Sequence, residues 1–559
     1  MKKITGILMC STLALMLGAC NFGSEGIQNP LPEPGTTHAQ LVGNEKDNDK
    51  PSDSDNGNGA DVDLPENIDV TNNGENETVI ANSLEYVKNY ANMDGFVDEN
   101  GSLKKAITCG YDYFEISEGY PELKKALDEK RIHDETEIAD AKENGLDMWQ
   151  TDDYDYEGEM GYMYVLKSYV SRADDRLFSF IEKNNSFFGG AHDSVYFRSY
   201  TYDSETGNQL ELKDFIKDDG SLSKYLAEFL YNSYPEDMFY AEDEEELAAT
   251  IAGMIYGGME DFNSPVEFSV YNKGLLLYFN EYTIAPYASG IPVAYIDFNE
   301  TPEYLNSEYF DKTSDNYTIE ASEYTTLWID VDNDNEKDNI QIGHKKEWLG
   351  FIEEFEYDGI SVWELGDDYA EASVDMYTLG EPEVFFALIN DKAYIFVQVE
   401  MYMGHYSIFE YSYNDGQLEL IGEIPGYFHG LPTVGEFEVT AMFDLMSTYQ
   451  AVARFKINED GTYERVSDRY EIINMDPLPL VSSKDLYAMK VDENGKVLEE
   501  EFDLPAGTTF YFRYTDGADS VTFETSEGDY VLFENVGTSD CSICSYSLFE
   551  AFEQIWFAG

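Results

Sequence analysis

The spacing of apolar positions changes along the chain and separates residues 81–303 from those that follow. Apolar residues recur at helical spacing in Leu222–Tyr234 and in Glu244–Tyr256. Pro121 stands at the start of a third helical segment that reaches Arg131, where a missing N–H is tolerated. We therefore predict an α+β domain over residues 81–303. Its strand-like runs are Tyr164–Arg172, Leu177–Ile181, Val195–Tyr202 and Gly274–Phe279.

Residues 304–559 carry strand patterns almost throughout. Aromatic and β-branched runs alternate with Asp-Gly pairs, which favour tight hairpin turns. We predict a β-rich domain over residues 304–475, either a meander or a propeller-like arrangement. Shorter strands and tighter turns over residues 476–559 favour a small β-barrel, with the SH3-like barrel as the nearest pattern. The Asp-Gly pairs are Asp358-Gly359, Asp415-Gly416, Asp460-Gly461 and Asp516-Gly517.

The first twenty residues have the layout of an export signal. A short basic start precedes an apolar run from Ile4 to Gly18, which is shorter than the about 20 residues that span a bilayer. The run ends in Leu-Gly-Ala-Cys20, which resembles the lipobox of bacterial lipoproteins. We expect residues 1–19 to be a signal peptide and Cys20 to be lipidated, which would anchor the chain extracytoplasmically to the bacterial cell membrane. The alternative is an ordinary signal peptide with a chance cysteine.

Residues 20–80 are predicted to be a disordered acidic tether. The stretch from Glu45 to Gly59 contains only Asp, Asn, Ser, Lys, Gly, Glu and one Pro, so it has no apolar face to bury. A flexible chain of this length spans roughly 40 Å on average. The tether would therefore hold a folded body clear of the membrane.

Composition restricts the class of partner. The chain has 34 Lys and Arg against 112 Asp and Glu, a formal charge of −78. Aromatic residues make up 15% of the chain, and this excludes a wholly disordered protein because so much apolar surface can fill several cores. Few cations are available to neutralise phosphates, which excludes a nucleic-acid partner. The charge instead favours cations and basic proteins.

Four motifs in residues 172–290 carry a family resemblance. Together they resemble the exported domain that forms the extracellular part of the anti-sigma-V factor RsiV and that precedes the catalytic domain of the peptidoglycan deacetylase PdaC. In RsiV this domain is the receptor for lysozyme, and in PdaC it accompanies wall chemistry without performing it. The resemblance implies a recognition module. The motifs are Arg172-Ala-Asp-Asp-Arg-Leu-Phe-Ser-Phe180, Gly189-Gly-Ala-His192, Tyr202–Gly207 with Leu210–Asp214, and Tyr282–Tyr287 with Gly290.

The segment Gly189-Gly190-Ala-His192-Asp193 is the candidate binding site in this domain. Its two glycines predict a turn or a close backbone approach. His192 could act as a general base, but a lone histidine beside a glycine turn is more often a structural residue. The chain contains no HExxH or GxSxG motif. We therefore predict no catalytic residue.

An acidic loop in the β-rich region has the spacing of a calcium site. Ca²⁺ takes six to eight oxygen ligands, which alternate side chains of one loop can supply. The pattern resembles the DxDxDxxxD loops of integrin-type repeats. Asn335 and Gln341 stand where an EF-hand-type loop carries Gly and Glu, so an EF-hand is not expected. The alternative is a solvated acidic turn. The predicted ligands of a structural Ca²⁺ are Asp330, Asp332, Asp334, Glu336 and Asp338.

Two smaller features leave alternatives open. Cys541 and Cys544 are spaced for a local disulfide, but two packed thiols are equally compatible with the pattern. The run Tyr402-Met-Gly-His-Tyr406 could line a glycan groove, although such runs are more often core or cross-strand pairs.

These features predict a non-enzymatic cell-surface lipoprotein that acts as a binding module. Charge and resemblance together point to a basic exported protein such as lysozyme, or to the cell wall. The alternative is a peptidoglycan-modifying protein or a Ca²⁺-dependent adhesive surface protein.

Overall fold

The computed structural model describes the chain from residue 83 to residue 557, apart from short gaps. The gaps are 100, 152–160, 218–219, 236–237, 258–264, 311–312, 323–324, 332–336, 349–354, 366–369, 403, 415, 475–478 and 538–541. The predicted signal peptide, Cys20 and the tether over 20–80 lie outside the described residues. All described residues belong to one compact unit, 76–559.

A six-stranded sheet opens the described chain. Strands β1, β3, β4, β5 and β6 follow one another across it, and β2 pairs with β3. All neighbours are antiparallel except β3 and β4, which run parallel from Ile107 opposite Tyr162. The strands are β1 (Tyr86–Asn92), β2 (Gly95–Glu99), β3 (Ser102–Ile116), β4 (Tyr162–Ala173), β5 (Leu177–Phe187) and β6 (Ser194–Asp203).

Helix α1 (Pro121–Thr151) makes the crossover between the two parallel strands. Parallel neighbours cannot be joined by a tight turn, so the chain must cross the sheet between them. The helix begins at the predicted Pro121 but continues twenty residues beyond Arg131, because Ile138 and Ala141 extend its buried face. Ile138 packs with Ile107 and Leu166 of the sheet.

A second layer follows the first sheet. The predicted helices at 222 and 244 are confirmed, with the second at the same bounds and the first ending one residue earlier. They pack with a three-stranded antiparallel sheet in one core. The elements are α2 (Leu212–Phe215), α3 (Leu222–Ser233), α4 (Glu244–Tyr256), β7 (Glu267–Tyr271), β8 (Gly274–Tyr278), β9 (Val293–Asp297) and two 3-10 turns, Tyr287–Ser289 and Ser307–Tyr309.

Two antiparallel sheets follow, and the β-rich character predicted for this region is confirmed. The five-stranded sheet has the order β10-β15-β16-β17-β18 and the four-stranded sheet the order β11-β12-β13-β14. Their runs of consecutive neighbours are meanders of unequal size, whereas a propeller would repeat equal blades. The strands are β10 (Tyr317–Ala321), β11 (Thr326–Ile329), β12 (Asp338–Trp348), β13 (Phe355–Leu365), β14 (Ala370–Asp375), β15 (Glu383–Ile389), β16 (Lys392–Tyr402), β17 (His405–Asn414) and β18 (Gln417–Pro425).

The last large sheet has eleven strands and runs across residue 475. Strand β23 pairs with β27 from Tyr470 opposite Thr515. The sheet is open, ending at β19 and β26, so the separate C-terminal barrel predicted for 476–559 is wrong. Its strands are β19 (Tyr427–His429), β20 (Gly435–Asp444), β21 (Thr448–Ile457), β22 (Tyr463–Arg465), β23 (Tyr470–Asn474), β24 (Leu480–Val481), β25 (Leu486–Val491), β26 (Val497–Leu504), β27 (Thr509–Thr515), β28 (Val521–Thr525) and β29 (Tyr530–Phe533).

The chain end adds a short hairpin, β30 (Ser542–Ile543) and β31 (Tyr546–Ser547), and then α5 (Leu548–Ala551). Phe552 after this helix packs against Phe510 of β27 at 5.8 Å between ring centroids. The end of the chain therefore belongs to the core of the eleven-stranded sheet.

One predicted Asp-Gly turn is wrong. Gly359 lies within β13, where the pairing with β12 shifts register and the glycine φ is +150°. A Cβ there would lie 1.9 Å from the carbonyl oxygen of Val374. The glycine therefore serves a β-bulge with close backbone approach rather than a hairpin turn.

One hydrophobic core joins the early and late parts of the chain. Tyr86, Phe114 and Phe178 of the first sheet share it with Phe385 and Phe428. The regions predicted as separate domains therefore pack against each other through a continuous apolar surface.

Candidate functional site

The predicted binding segment meets a second loop that lies about ninety residues later. The turn after β5 carries Gly189–Asp193, and the loop between β8 and β9 carries Tyr282 and Tyr287. The His192 ring stacks on the Tyr287 ring with centroids 3.8 Å apart and planes 22° apart. The Tyr282 ring is also nearly parallel to the Tyr287 ring, with centroids 6.3 Å apart and planes 25° apart. We call these three rings, His192, Tyr282 and Tyr287, the aromatic platform.

Hydrogen bonds hold the imidazole in one orientation. His192 Nδ1–H donates to the Asp193 carbonyl at 2.6 Å, and the Tyr282 hydroxyl donates to Nε2 at 3.4 Å. The Tyr287 hydroxyl donates to Asp193 Oδ1 at 3.0 Å. Both ring nitrogens of His192 are thus engaged within the platform. This arrangement suits a fixed recognition surface better than a general base, which needs a free nitrogen directed at substrate.

The backbone of the second loop is specified by local contacts. Asn280 accepts a hydrogen bond from Phe197 N at 2.7 Å and donates to Phe197 O at 3.0 Å, which ties the loop to β6. Tyr282 then adopts φ +63°, a conformation that costs energy for a bulky residue and often occurs at functional loops. The result is a tyrosine ring that is 55% exposed yet fixed at its base.

Two acidic residues lie at the aromatic platform. Asp193 accepts the hydrogen bond from the Tyr287 hydroxyl, and Glu281 directly precedes Tyr282 in the chain. Burial, with a smaller contribution from the charge of Asp193, raises the pKa of Glu281 to about 7 against the opposing effects of the Val195 N–H and His192. Oε2 of Glu281 is buried and has no hydrogen-bond partner among the described residues. The platform therefore combines exposed ring faces with negative charge.

A buried charge network was not predicted from the sequence. Lys130 of α1 donates to Asp134 Oδ2 at 2.6 Å and also contacts Glu182 of β5. Arg198 of β6 makes a two-pronged contact with Glu137, at 2.7 and 2.6 Å. Two cations therefore face three carboxylates, and their contacts join α1 to β5 and β6 of the sheet. The available signal was the i, i+4 pair of Lys130 and Asp134 on the face of α1 that bears its apolar residues.

The predicted calcium loop is only partly described. Asp330 and Asp338 flank the connection between β11 and β12, and Asp338 Oδ2 accepts a hydrogen bond from Val331 N at 2.8 Å. Asp332, Asp334 and Glu336 lie outside the described residues. Elsewhere in the described chain, no three His, Cys, Asp or Glu residues are grouped to hold a metal. Calcium binding therefore stays a prediction.

The cysteine pair predicted near the end of the sequence is only partly described. Cys544 Sγ donates to the Tyr487 carbonyl at 3.2 Å, while Cys541 lies outside the described residues, so their pairing stays a prediction. No helix within the described ranges is both long and apolar enough to cross a bilayer.

One region of the chain matches a known protein family. Residues 213–299 match the family model described as "Protein of unknown function (DUF3298)". The match spans α2 to β9 and includes Tyr282 and Tyr287, but not the turn that carries His192. It lies inside the predicted α+β region and is compatible with the RsiV and PdaC resemblance without confirming it. Nothing among the curated proteins matches the chain.

Solved structures of the same family are weakly similar to this chain. A DUF3298 family protein from Pseudomonas aeruginosa PAO1 has 16% identity and a TM-score of 0.29, covering 41% of this chain and 98% of its own. A member from Bacteroides fragilis NCTC 9343 has 17% identity and a TM-score of 0.29, covering 41% of this chain and 96% of its own. These scores are too low to identify the fold.

Proposed function

We propose that this chain is a non-enzymatic, lipid-anchored surface protein that binds a basic exported polypeptide such as lysozyme. The aromatic platform carries the proposal, because it presents stacked rings, with Tyr282 55% exposed, beside Asp193 and Glu281. Aromatic faces attract ammonium and guanidinium groups. The formal charge of −78 would speed the encounter with a basic partner, while affinity would come from packed anchors such as Tyr282.

The hydrogen bonds of the platform support binding rather than catalysis. His192 has both nitrogens engaged by Tyr282 and Asp193, so its ring acts as a spacer that keeps the tyrosines in place. A pre-formed ring stack of this kind loses little conformational freedom when a partner docks.

The test is calorimetric titration of the full chain with a c-type lysozyme, at low salt and at about 0.5 M salt, where surface charge is strongly screened. An unrelated protein of similar acidity serves as the charge control. We expect saturable binding that survives salt and exceeds the control. Tyr282→Ala should weaken it about tenfold or more, as truncation of an aromatic anchor does.

The matched variant is Tyr487→Ala, because Tyr487 is 54% exposed against 55% for Tyr282 and lies outside the platform. It should bind as the wild type does. If the heat of lysozyme binding disappears at the higher salt concentration, or equals the heat measured with the acidic control protein, recognition of a basic protein is refuted. Sedimentation with purified peptidoglycan would then test the cell wall as the partner.

A further inference from the structure

A cleft of about 400 Å³ opens in the β-rich region, outside residues 213–299. This volume lies in the range of ligand-binding clefts. Its walls come from the β16–β17 hairpin, the end of β18, strand β20 and the segment after β14. Ring and thioether groups dominate the lining. The principal lining residues are Tyr377, Met401, His405, Tyr406, Pro425 and Met442.

The cleft lies beside the irregular end of the β16–β17 hairpin. The pairing shifts register after Glu400, and Glu400 Oε1 accepts a hydrogen bond from Gly404 N at 2.8 Å. The Tyr406 ring packs edge-on against Tyr427 at 5.5 Å, and the Tyr406 carbonyl accepts from Gly426 N at 2.8 Å. One wall is therefore rigid. Tyr377 on the other wall is 62% exposed.

Besides His405 and Ser407 in the lining itself, three carboxylates lie next to it. Asp444 Oδ2 lies 3.3 Å from His405 Nε2, and Glu423 accepts a hydrogen bond from Ser407 Oγ at 2.9 Å. Burial, followed by the charges of Glu400 and Glu383, raises the pKa of Tyr406 to about 12. In the described part of the chain, Glu400, Glu423 and Asp444 form no ion pair with lysine or arginine.

We propose that this cleft receives an arginine or lysine side chain of a basic polypeptide. The long apolar stem of such a side chain would lie along Met401 and Met442, which adapt their shape readily. Its charged head would lie over the faces of Tyr377 and Tyr406 and near the carboxylates. This inference deepens the proposed function, since it rests on the same class of partner but assigns a second, independent anchor.

The probe is a short fluorescein-labelled peptide with two arginines among glycine and serine. Its control is the same peptide with citrulline, which keeps the shape of arginine but is neutral. Fluorescence anisotropy with the full chain measures both. We expect the arginine peptide to bind at least tenfold more tightly than the citrulline peptide. Tyr377→Ala and Asp444→Asn should each weaken the arginine peptide severalfold.

Two matched variants control for exposure and charge. Tyr487→Ala removes a tyrosine of similar exposure, and Glu500→Gln removes one exposed charge on β26. Both should leave peptide binding unchanged. Equal affinity for the two peptides, or equal loss in Tyr377→Ala and Tyr487→Ala, would overturn the proposal.

Lysozyme titration of the same variants separates the two proposals. If Tyr282→Ala weakens lysozyme binding and Tyr377→Ala does not alter binding of either lysozyme or the peptide, the aromatic platform stands and the cleft fails. If the wild type does not bind lysozyme but binds the arginine peptide through Tyr377, the cleft stands and the lysozyme proposal fails.

Discussion

The ammonium group of Lys88 on β1 contacts the carboxylate of Glu320 on β10, which lies 232 positions later in the chain. Lys88 Nζ also lies 2.7 Å from Glu383 on β15, and Glu320 Oε2 accepts a hydrogen bond from Val170 N on β4 at 3.1 Å. A single lysine therefore contacts two carboxylates where the six-stranded and five-stranded sheets meet.

Replacing Lys88 should destabilise the folded chain, because a buried carboxylate would lose its cation. Lys88→Met leaves Glu320, which is 3% exposed, without its cation. We expect the free energy of unfolding in urea to fall by about 3–5 kcal/mol. Lys213→Met is the control, because Lys213 and its partner Glu211 are 72% and 70% exposed and such pairs contribute little. Equal stability of the two variants would contradict a structural role for the Lys88 contacts.

Glu410 should make stability depend on pH. It is fully buried in β17 and neither carboxylate oxygen has a partner among the described residues. Burial, followed by the charge of Asp460, raises its pKa to about 8. Since an unfolded glutamate ionises near pH ~4.3, the folded chain holds a proton that the unfolded chain has lost. This contribution to stability is therefore lost as the pH rises from about 4.3 to 8.

The variant that tests this is Glu410→Gln, which stays neutral in both states. We expect its melting temperature to match the wild type at about pH 4, below the pKa of an unfolded glutamate, and to exceed it at about pH 8.5. Glu419→Gln, an exposed position on the neighbouring β18, should follow the wild type at both pH values. If the melting temperature of Glu410→Gln fell with rising pH as much as that of the wild type, Glu410 would not be the source of the pH dependence.

Gly359 should resist substitution. Alanine there would place its Cβ 1.9 Å from the Val374 carbonyl oxygen at a φ of +150°, so we expect a loss of about 1–3 kcal/mol in the free energy of unfolding. Gly380→Ala, with nothing within 4 Å of the added Cβ, should change stability by less than about 0.5 kcal/mol. Comparable urea midpoints for the two variants would argue against the β-bulge.

Calcium should stabilise the chain if the acidic loop binds it. Asp332→Asn with Asp334→Asn removes two predicted ligands, and Glu499→Gln with Glu500→Gln removes two exposed charges from β26. We expect Ca²⁺ to raise the melting temperature of the wild type and of the Glu499 and Glu500 variant, but not that of the Asp332 and Asp334 variant. At a Ca²⁺ concentration 100 times the dissociation constant, the free energy of unfolding should increase by about 2.7 kcal/mol. If neither Ca²⁺ nor a chelator changed the melting temperature of the wild type, a stabilising Ca²⁺ site would be excluded.

Glu281 should make binding by the aromatic platform depend on pH. Its pKa of about 7 means that it gains negative charge between pH 6 and pH 8, so a cationic partner should bind more tightly at pH 8. Glu281→Gln should remove this part of the change, whereas Glu245→Gln, an exposed acid on α4, should retain it. Identical pH profiles for the two variants would remove Glu281 from the site.

Local features of the sequence determined the elements of the α+β region. The bounds of α3 and α4 followed from apolar spacing, because helical contacts join residues three and four positions apart. Pro121 marked the start of α1 for an equally local reason. Gly416, Gly461 and Gly517 lie at chain reversals between strands. Gly359 does not, because a bulge and a turn both favour glycine.

Tertiary structure decided which of these elements meet. Nothing local to His192 indicates that its ring stacks on Tyr287, or that Lys88 meets Glu320. The pairing of β23 with β27 across residue 475 was not predicted, for the same reason. A strand satisfies its backbone hydrogen bonds only through a partner that is distant along the chain. The choice of that partner depends on packing of the whole core, which residue spacing along the sequence does not encode.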